Sequence, residues 1–370
     1  MLEKGKISNS QFTLLLIMFL IGSSTVVLPT ILTGIAKQDA WLSTVIGIGF
    51  GVLFSLIYAI LAARYPNLSL AEYSEKILGK WLGKTVSVLF FLYLLMLTSR
   101  ILRITVDLIL THILPETPIQ AIEALFILIV IMGVRLGLET FARTAEMLFP
   151  YIILFILTLT LLLLDEVKME TLLPLLENGF MPVLRGAYRT MGAPFLDLVV
   201  FLIIAPYVTK PEKVGRNLIS ATLIGGAILT LVMFLSITIL GTELSARSNF
   251  PTYILAQKVE VGNFLERIEV LSGGLIFISL FIKLTICFYS MVLSLAQTLQ
   301  LNSYKPLTFP LGLLVMMLSI FLFPNIIYFR DFITNTWTPI VILYGLIIPL
   351  FLLTVDTIRN GFNKSKVKDN

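Results

Sequence analysis

Apolar runs of about twenty residues alternate with short polar links along the chain. The runs fall at about 11–36, 42–63, 86–112, 119–136, 147–164, 186–207, 217–240, 268–296, 307–323 and 336–356. An α-helix of that length matches the hydrocarbon thickness of a bilayer, so each run predicts a membrane-crossing helix. The links hold turn-forming residues, as in Pro115-Glu116-Thr117-Pro118, Lys210-Pro211-Glu212 and Lys305-Pro306. Even the longer ones, 64–85, 165–185 and 241–267, have no room for a soluble domain. The pattern predicts one all-α integral membrane domain over residues 1–370.

Two runs are interrupted. Gly22, Ser23, Ser24 and Thr25 sit in the middle of the first, with Pro29 beyond them. Gly192, Ala193 and Pro194 break the sixth, and Asp197 follows. Proline removes a backbone donor and clashes with the preceding turn. Lipid offers no partner for freed backbone groups, so broken backbone is expected only inside protein or along a water-filled cavity. The breaks open the first and sixth of ten helices. They divide the chain into two sets of five, about 11–164 and 186–356, as in an inverted-repeat transporter with its site at the breaks. Half-helix N-termini there favour a carboxylate and C-termini a cation. Gly47, Gly49 and Gly51 in the second run are read differently. They lie inside an apolar helix, where small residues let helices approach closely.

Composition agrees with the pattern. The chain is 57% hydrophobic and 13% charged, against about 25% charged in soluble domains. Its formal net charge of +5 reflects basic links, not a nucleic-acid surface. With ten spans both termini share a side. That side holds more than twice as many Lys and Arg residues as the other, including Lys76, Lys80, Lys84, Lys210, Lys213 and Arg216. The bias puts both termini in the cytoplasm. Lys4, Lys6 and the apolar run from Phe12 resemble a signal peptide, but the run continues to about Ala36 and nine more follow. Retention is therefore expected. The chain has one cysteine, Cys287, and one histidine, His112. This leaves no internal disulfide, and it argues against a thiolate metal site, zinc chemistry and His-dependent triads; no metal site or cofactor is expected. His112 reads as an interfacial residue at a helix end or as part of a proton relay.

Charges within the runs mark function, because each is costly in lipid. Arg100, Arg103 and Asp107 in the third run share a helix face, with Tyr93 seven residues before Arg100. Arg103 with Asp107 is either a structural pair or part of a site. Lys283 lies in the eighth run, with Thr285 and Tyr289 after it. Three roles stay open for it: neutralising Asp197, serving as a fixed cation, or coupling to protons.

Four features carry a resemblance to a known family. They are the opening Lys6 to Phe12 with the break at Gly22; the connector Arg135 to Glu139 with Ala142, Arg143 and Glu146; the loop Leu173 to Gly179, ending near Pro182; and Pro194-Phe195. Together they resemble the B subunit of bacterial spore germinant receptors, a branch of the amino acid–polyamine–organocation transporter superfamily. The resemblance covers essentially the whole chain. It implies a ten-helix fold like the leucine transporter with helices one and six interrupted. It implies residence in the inner membrane of the spore, beside a larger A subunit and a lipoprotein C subunit. It also implies binding of a nutrient germinant such as an amino acid. Carried over residue by residue, the pocket is Gly22, Ser23, Ser24 and Thr25, Tyr93, Phe195 and Leu196, and Thr285. Relatives often have a second glycine at the first break, where this chain reads Gly-Ser-Ser-Thr. That leaves open how closely backbone and ligand approach.

Two functions fit one fold: a receptor subunit whose states a partner reads, and a proton-coupled amino acid transporter using Lys283 or Asp197. No paired catalytic carboxylates and no nucleophile with a base suggest an enzyme.

Overall fold

The computed structural model describes residue 3 and residues 5–258 and 268–368. Of the link charges, Lys4 and Arg267 lie outside the described residues, as do the side chains of Lys364, Lys366 and Lys368. Among the described residues the architecture is helical, with one isolated backbone bridge between Ile7 and Val208. In chain order the helices are α1 (Asn9–Ala36), α2 (Ala40–Arg64), α3 (Leu70–Leu78), α4 (Lys80–His112), α5 (Ile119–Leu136), α6 (Leu138–Leu162), α7 (Met181–Thr190), α8 (Phe201–Ile204), α9 (Val214–Leu235) and α10 (Gly241–Arg247). They continue as α11 (Pro251–Gln257), α12 (Ile268–Thr298), α13 (Thr308–Leu322), α14 (Ile326–Asp331), α15 (Thr338–Ile342) and α16 (Ile348–Lys368).

Nine continuous stretches of the described residues are long and apolar enough to cross a membrane. The first, Asn9–Arg64, contains both α1 and α2, which meet at the single turn Lys37–Asp39. The stretch Met181–Tyr207 contains α7 and α8 with the irregular segment between them, and Ile326–Arg359 contains α14, α15 and most of α16.

Local chemistry sets the ends. Ser8 caps α1 with Gln11 in a reciprocal capping box, and Ser69 does the same for α3 with Glu72. Gly79 and Gly137 take positive φ values of 84° and 99° at the tight elbows α3–α4 and α5–α6, a conformation that glycine adopts without strain. The N-terminal segment is pinned. The Glu3 carboxylate accepts hydrogen bonds from the Tyr304 hydroxyl at 2.9 Å and the Tyr289 hydroxyl at 3.2 Å. Burial and that carboxylate hold the Tyr304 phenol above its ordinary pKa, so it stays a donor.

Packing divides the helices into inner and outer ones. Residues Leu15 to Ile21 of α1 are buried on every side, as expected of a helix that is apolar all round. Its neighbours include α9, α12, α6 and α7. The outer helices turn large apolar side chains outward, for example Leu125, Ile129 and Met132 on α5 and Leu154, Leu157 and Leu161 on α6. Of the α2 glycines, Gly47 and Gly51 act as helix-packing positions, whereas Gly49 is exposed and a Cβ there would meet nothing within 4 Å. A Cβ on Gly47 would meet Thr190 at 2.6 Å, and one on Gly51 would meet Phe195 at 2.6 Å.

Candidate functional site

The two expected breaks behave differently. Helix α1 runs without interruption from Asn9 to Ala36, so the expected unwinding at residues 22–25 is absent. The irregular residues are absorbed locally. The Thr25 hydroxyl donates back to the Ile21 carbonyl at 2.9 Å, and Thr33 does the same to Pro29 at 2.5 Å. Pro29 has no N–H to offer the carbonyl four residues before it, that of Thr25. The Thr252 hydroxyl of α11 supplies the missing donor at 2.5 Å.

The second break is real backbone. Ala193 takes φ −131° and ψ 121°, outside the helical range, the conformation expected of a residue before proline. Gly192 is closed in by Thr338 of α15, where a Cβ would meet Oγ1 at 2.5 Å. One turn beyond lies Asp197, fully buried.

Asp197 organises a charged centre. Its carboxylate accepts a hydrogen bond from the Tyr93 hydroxyl at 2.8 Å and pairs with Arg100 Nη2 at 3.0 Å. Both partners come from α4, as their seven-residue spacing allows. The Trp337 ring lies 4.0 Å from the Arg100 guanidinium, a cation–π contact, and Tyr93 is stacked between Trp337 and Tyr344. Lys283 of α12 is also fully buried. Its Nζ has no hydrogen-bond partner among the described residues and lies 4.5 Å from the Phe19 ring centre. Its aliphatic stem packs on Gly22, where a Cβ would meet it at 3.1 Å. Gly22 therefore serves the close approach of α1 and α12. Arg100 pairs with the buried Asp197 carboxylate directly, and Lys283 interacts with it electrostatically.

A cavity of about 20 Å³ opens beside this centre, lined by Ser23, Ser24, Arg100, Ala193, Phe329 and Ile333 among others. The break, α1, α4 and α14 thus share one wall. A separate, open pocket of about 550 Å³ is bounded by Ile35, Arg185, Tyr188, Arg189 and Asn335. Its Asn335 is two residues from Ile333 of the cavity.

The match to a family model extends this geometry. The model described as "Spore germination protein" matches residues 6–331.

The chain belongs to the spore germination protein family.

Among curated family members, the chain is 31% identical to spore germination protein KB of Bacillus subtilis (strain 168), over 96% of this chain and 95% of that protein. It is 30% identical to spore germination protein YndE of the same organism, over 84% and 85%. Among solved structures, MhsT in complex with L-phenylalanine matches with a TM-score of 0.74 at 16% identity, covering 94% of this chain and 90% of that one. A Na+-coupled sialic acid symporter in a substrate-bound outward-open state matches with a TM-score of 0.67 at 11% identity, covering 92% and 79%. The fold of this spore germination family member is that of the leucine-transporter-like carriers.

Of the residues expected in the pocket, Ser23 and Ser24 line the cavity, joined by Arg100, which the sequence marked only as a buried charge. Tyr93 and Asp197 stand behind Arg100. Thr25 lines a different, mostly apolar cavity of about 50 Å³ with Thr252 and Ser279. Phe195 faces α2 at Gly51, and Leu196 packs on Gly345 while its carbonyl accepts from the Tyr58 hydroxyl. Thr285 faces Gly133 of α5, and its hydroxyl bonds back to Phe281. Arg103 pairs with Asp107 at 3.0 Å, one turn along from the site. His112 stacks on Tyr253 at the end of α4. Phe329, Ile333 and Trp337 are contributors that sequence reading missed. All three precede or open the tenth run, where Arg330, Asp331 and Asn335 lower the hydropathy.

Proposed function

We propose that this integral membrane protein senses a small nutrient carrying a carboxylate, such as an amino acid, in the cavity beside Arg100. The observation that carries this reading is Arg100 itself. One end of its guanidinium is held by Asp197, while its buried Nε has no hydrogen-bond partner. Arg100 lines the cavity together with Ser23 and Ser24. An unclaimed charge-assisted donor on a residue that lines a cavity suits a carboxylate. Arg185 and Arg189 in the larger pocket would attract an anionic group to that part of the surface.

The cavity has room for about one water molecule, so an amino acid enters only if Phe329 and Ile333 move outward. Binding would then favour one state of the helix-six break over another. In the receptor reading, an A subunit and a lipoprotein C subunit in the spore inner membrane read that state, and both termini are cytoplasmic. The chain acts as one transmembrane domain of two five-helix halves. The second reading, a proton-coupled amino acid transporter, is favoured by the carriers that share the fold. MhsT binds L-phenylalanine, and the sialic acid symporter is coupled to Na+.

Uptake against binding separates the two. Purified protein in proteoliposomes with an imposed proton gradient is offered labelled amino acids. Saturable binding without accumulation, lost in Ser24→Leu at unchanged melting temperature, is the expected result. Accumulation against the gradient makes the protein a transporter. Binding unaffected by Ser24→Leu removes this cavity as the site.

A further inference from the structure

A second group of ionisable side chains lies away from that cavity, among α4, α5 and α13. Its centre is Glu123 of α5, which is fully buried. One carboxyl oxygen contacts the Ser319 hydroxyl of α13, and the other, Oε2, has no hydrogen-bond partner among the described residues. Arg103 and Asp107 of α4 face it electrostatically. Arg103 is already engaged, its Nε 3.0 Å from the Asp107 carboxylate. On the α12 side, α5 meets Phe281 and Thr285 at Gly133. Neither is ionisable.

The donor count around Ser319 decides the protonation state. The hydroxyl lies between two oxygens, Glu123 Oε1 and the Met316 carbonyl, the latter at 3.0 Å. A hydroxyl has one proton to give. If Glu123 were ionised, both neighbours would be acceptors competing for that proton. A buried carboxylate would then retain an oxygen with no donor, the arrangement interiors avoid most strongly. If Glu123 carries a proton, the chain of bonds closes: the carboxyl donates to Ser319, and Ser319 donates to the Met316 carbonyl.

We propose that Glu123 is a proton-binding site within the membrane domain, occupied in the resting protein and separate from the nutrient cavity. Release of the proton leaves a carboxylate that competes with Asp107 for Arg103. That competition acts on α4, the helix whose Tyr93 and Arg100 hold Asp197. The site depends on no particular nutrient, and it stands whether the protein is a sensor or a carrier.

The test uses the full chain in lipid vesicles. Infrared spectra at neutral pH are expected to contain a protonated-carboxyl stretching band that is lost in Glu123→Gln, which keeps the shape and cannot ionise. Identical spectra for the two proteins in that region overturn the proposal. Thermal unfolding across pH gives a second reading. A carboxyl that holds its proton more tightly folded than unfolded stabilises the fold at low pH and loses that stabilisation as pH rises. The melting temperature of the wild type minus that of Glu123→Gln is therefore expected to fall with rising pH. A flat or rising difference overturns the proposal.

Discussion

Helices one and six have similar irregularities in sequence, a glycine followed by small residues and a proline, yet only one of them breaks. In α1, Pro29 lies seven residues beyond Gly22, and the one carbonyl it orphans finds a hydroxyl on α11. In helix six, Gly192, Ala193 and Pro194 are contiguous, so the residue that proline pushes out of the helical region directly follows the glycine. Thr338 closes on that glycine and Asp197 fixes the next turn from inside. In α1 a neighbour supplies the hydrogen bond that the proline removes, and the helix stays continuous. The irregularity that lines the cavity sits on helix six, and α1 contributes a smooth, serine-bearing wall.

The sharpest way to break this contrast is to remove the charge that holds the broken helix. Asp197→Ala leaves Arg100 and Lys283 buried without their carboxylate. Removing one partner of a buried pair costs about 3–5 kcal/mol, so thermal unfolding in detergent is expected to show a large loss, partly recovered by Arg100→Met in the same chain. Lys283→Met is expected to be far milder, because its ammonium has no hydrogen-bond partner to abandon. A loss from Lys283→Met as large as that from Asp197→Ala would show that Lys283, not Arg100, balances Asp197.

The next effect compares the two glycines. A methyl on Gly192 meets Thr338 Oγ1, Cγ2 and Cβ at 2.5 to 2.9 Å, all attached close to the backbone and unable to swing far. A methyl on Gly22 meets carbons of the longer Lys283 side chain at 3.1 and 3.2 Å and the Ser279 carbonyl at 3.2 Å. Gly192→Ala is expected to cost about 1–3 kcal/mol by overpacking, and Gly22→Ala less. Equal melting temperatures for the two variants would mean that α15 yields as easily as a lysine stem.

Hydropathy made the membrane class and the positions of the runs readable, because lipid demands long apolar helices whatever they pack against. Composition could not say which polar groups meet. Arg100, Tyr93 and Asp197 were each visible as charges or polar residues in apolar runs, and the spacing on α4 placed the first two on one face. Their convergence on one carboxylate depends on α4 crossing the helix-six break, a tertiary fact. The unwinding expected in α1 failed for the same reason, since Thr252 lies more than two hundred residues from Pro29. Glu123 escaped notice because a single carboxylate near the start of an apolar run reads like an interfacial charge. Its burial follows from α4 and α13 closing over it.

The smallest expected effect tests why α1 stays whole. Thr252→Val removes the hydroxyl that serves the Thr25 carbonyl, and a lost hydrogen bond of this kind costs about 1 kcal/mol. Pro29→Ala restores an N–H four residues beyond Thr25, so the helix can then close its own bond. In the Pro29→Ala background, Thr252→Val is expected to cost little, and the double-mutant cycle should show a coupling of similar size to the single loss. Residues with a shared partner are expected to couple in this way. Simple additivity would mean that Thr252 does not stand in for the missing donor. The continuity of α1 would then rest on its packing against α9 and α12, and the difference from helix six would lie in the company each helix keeps.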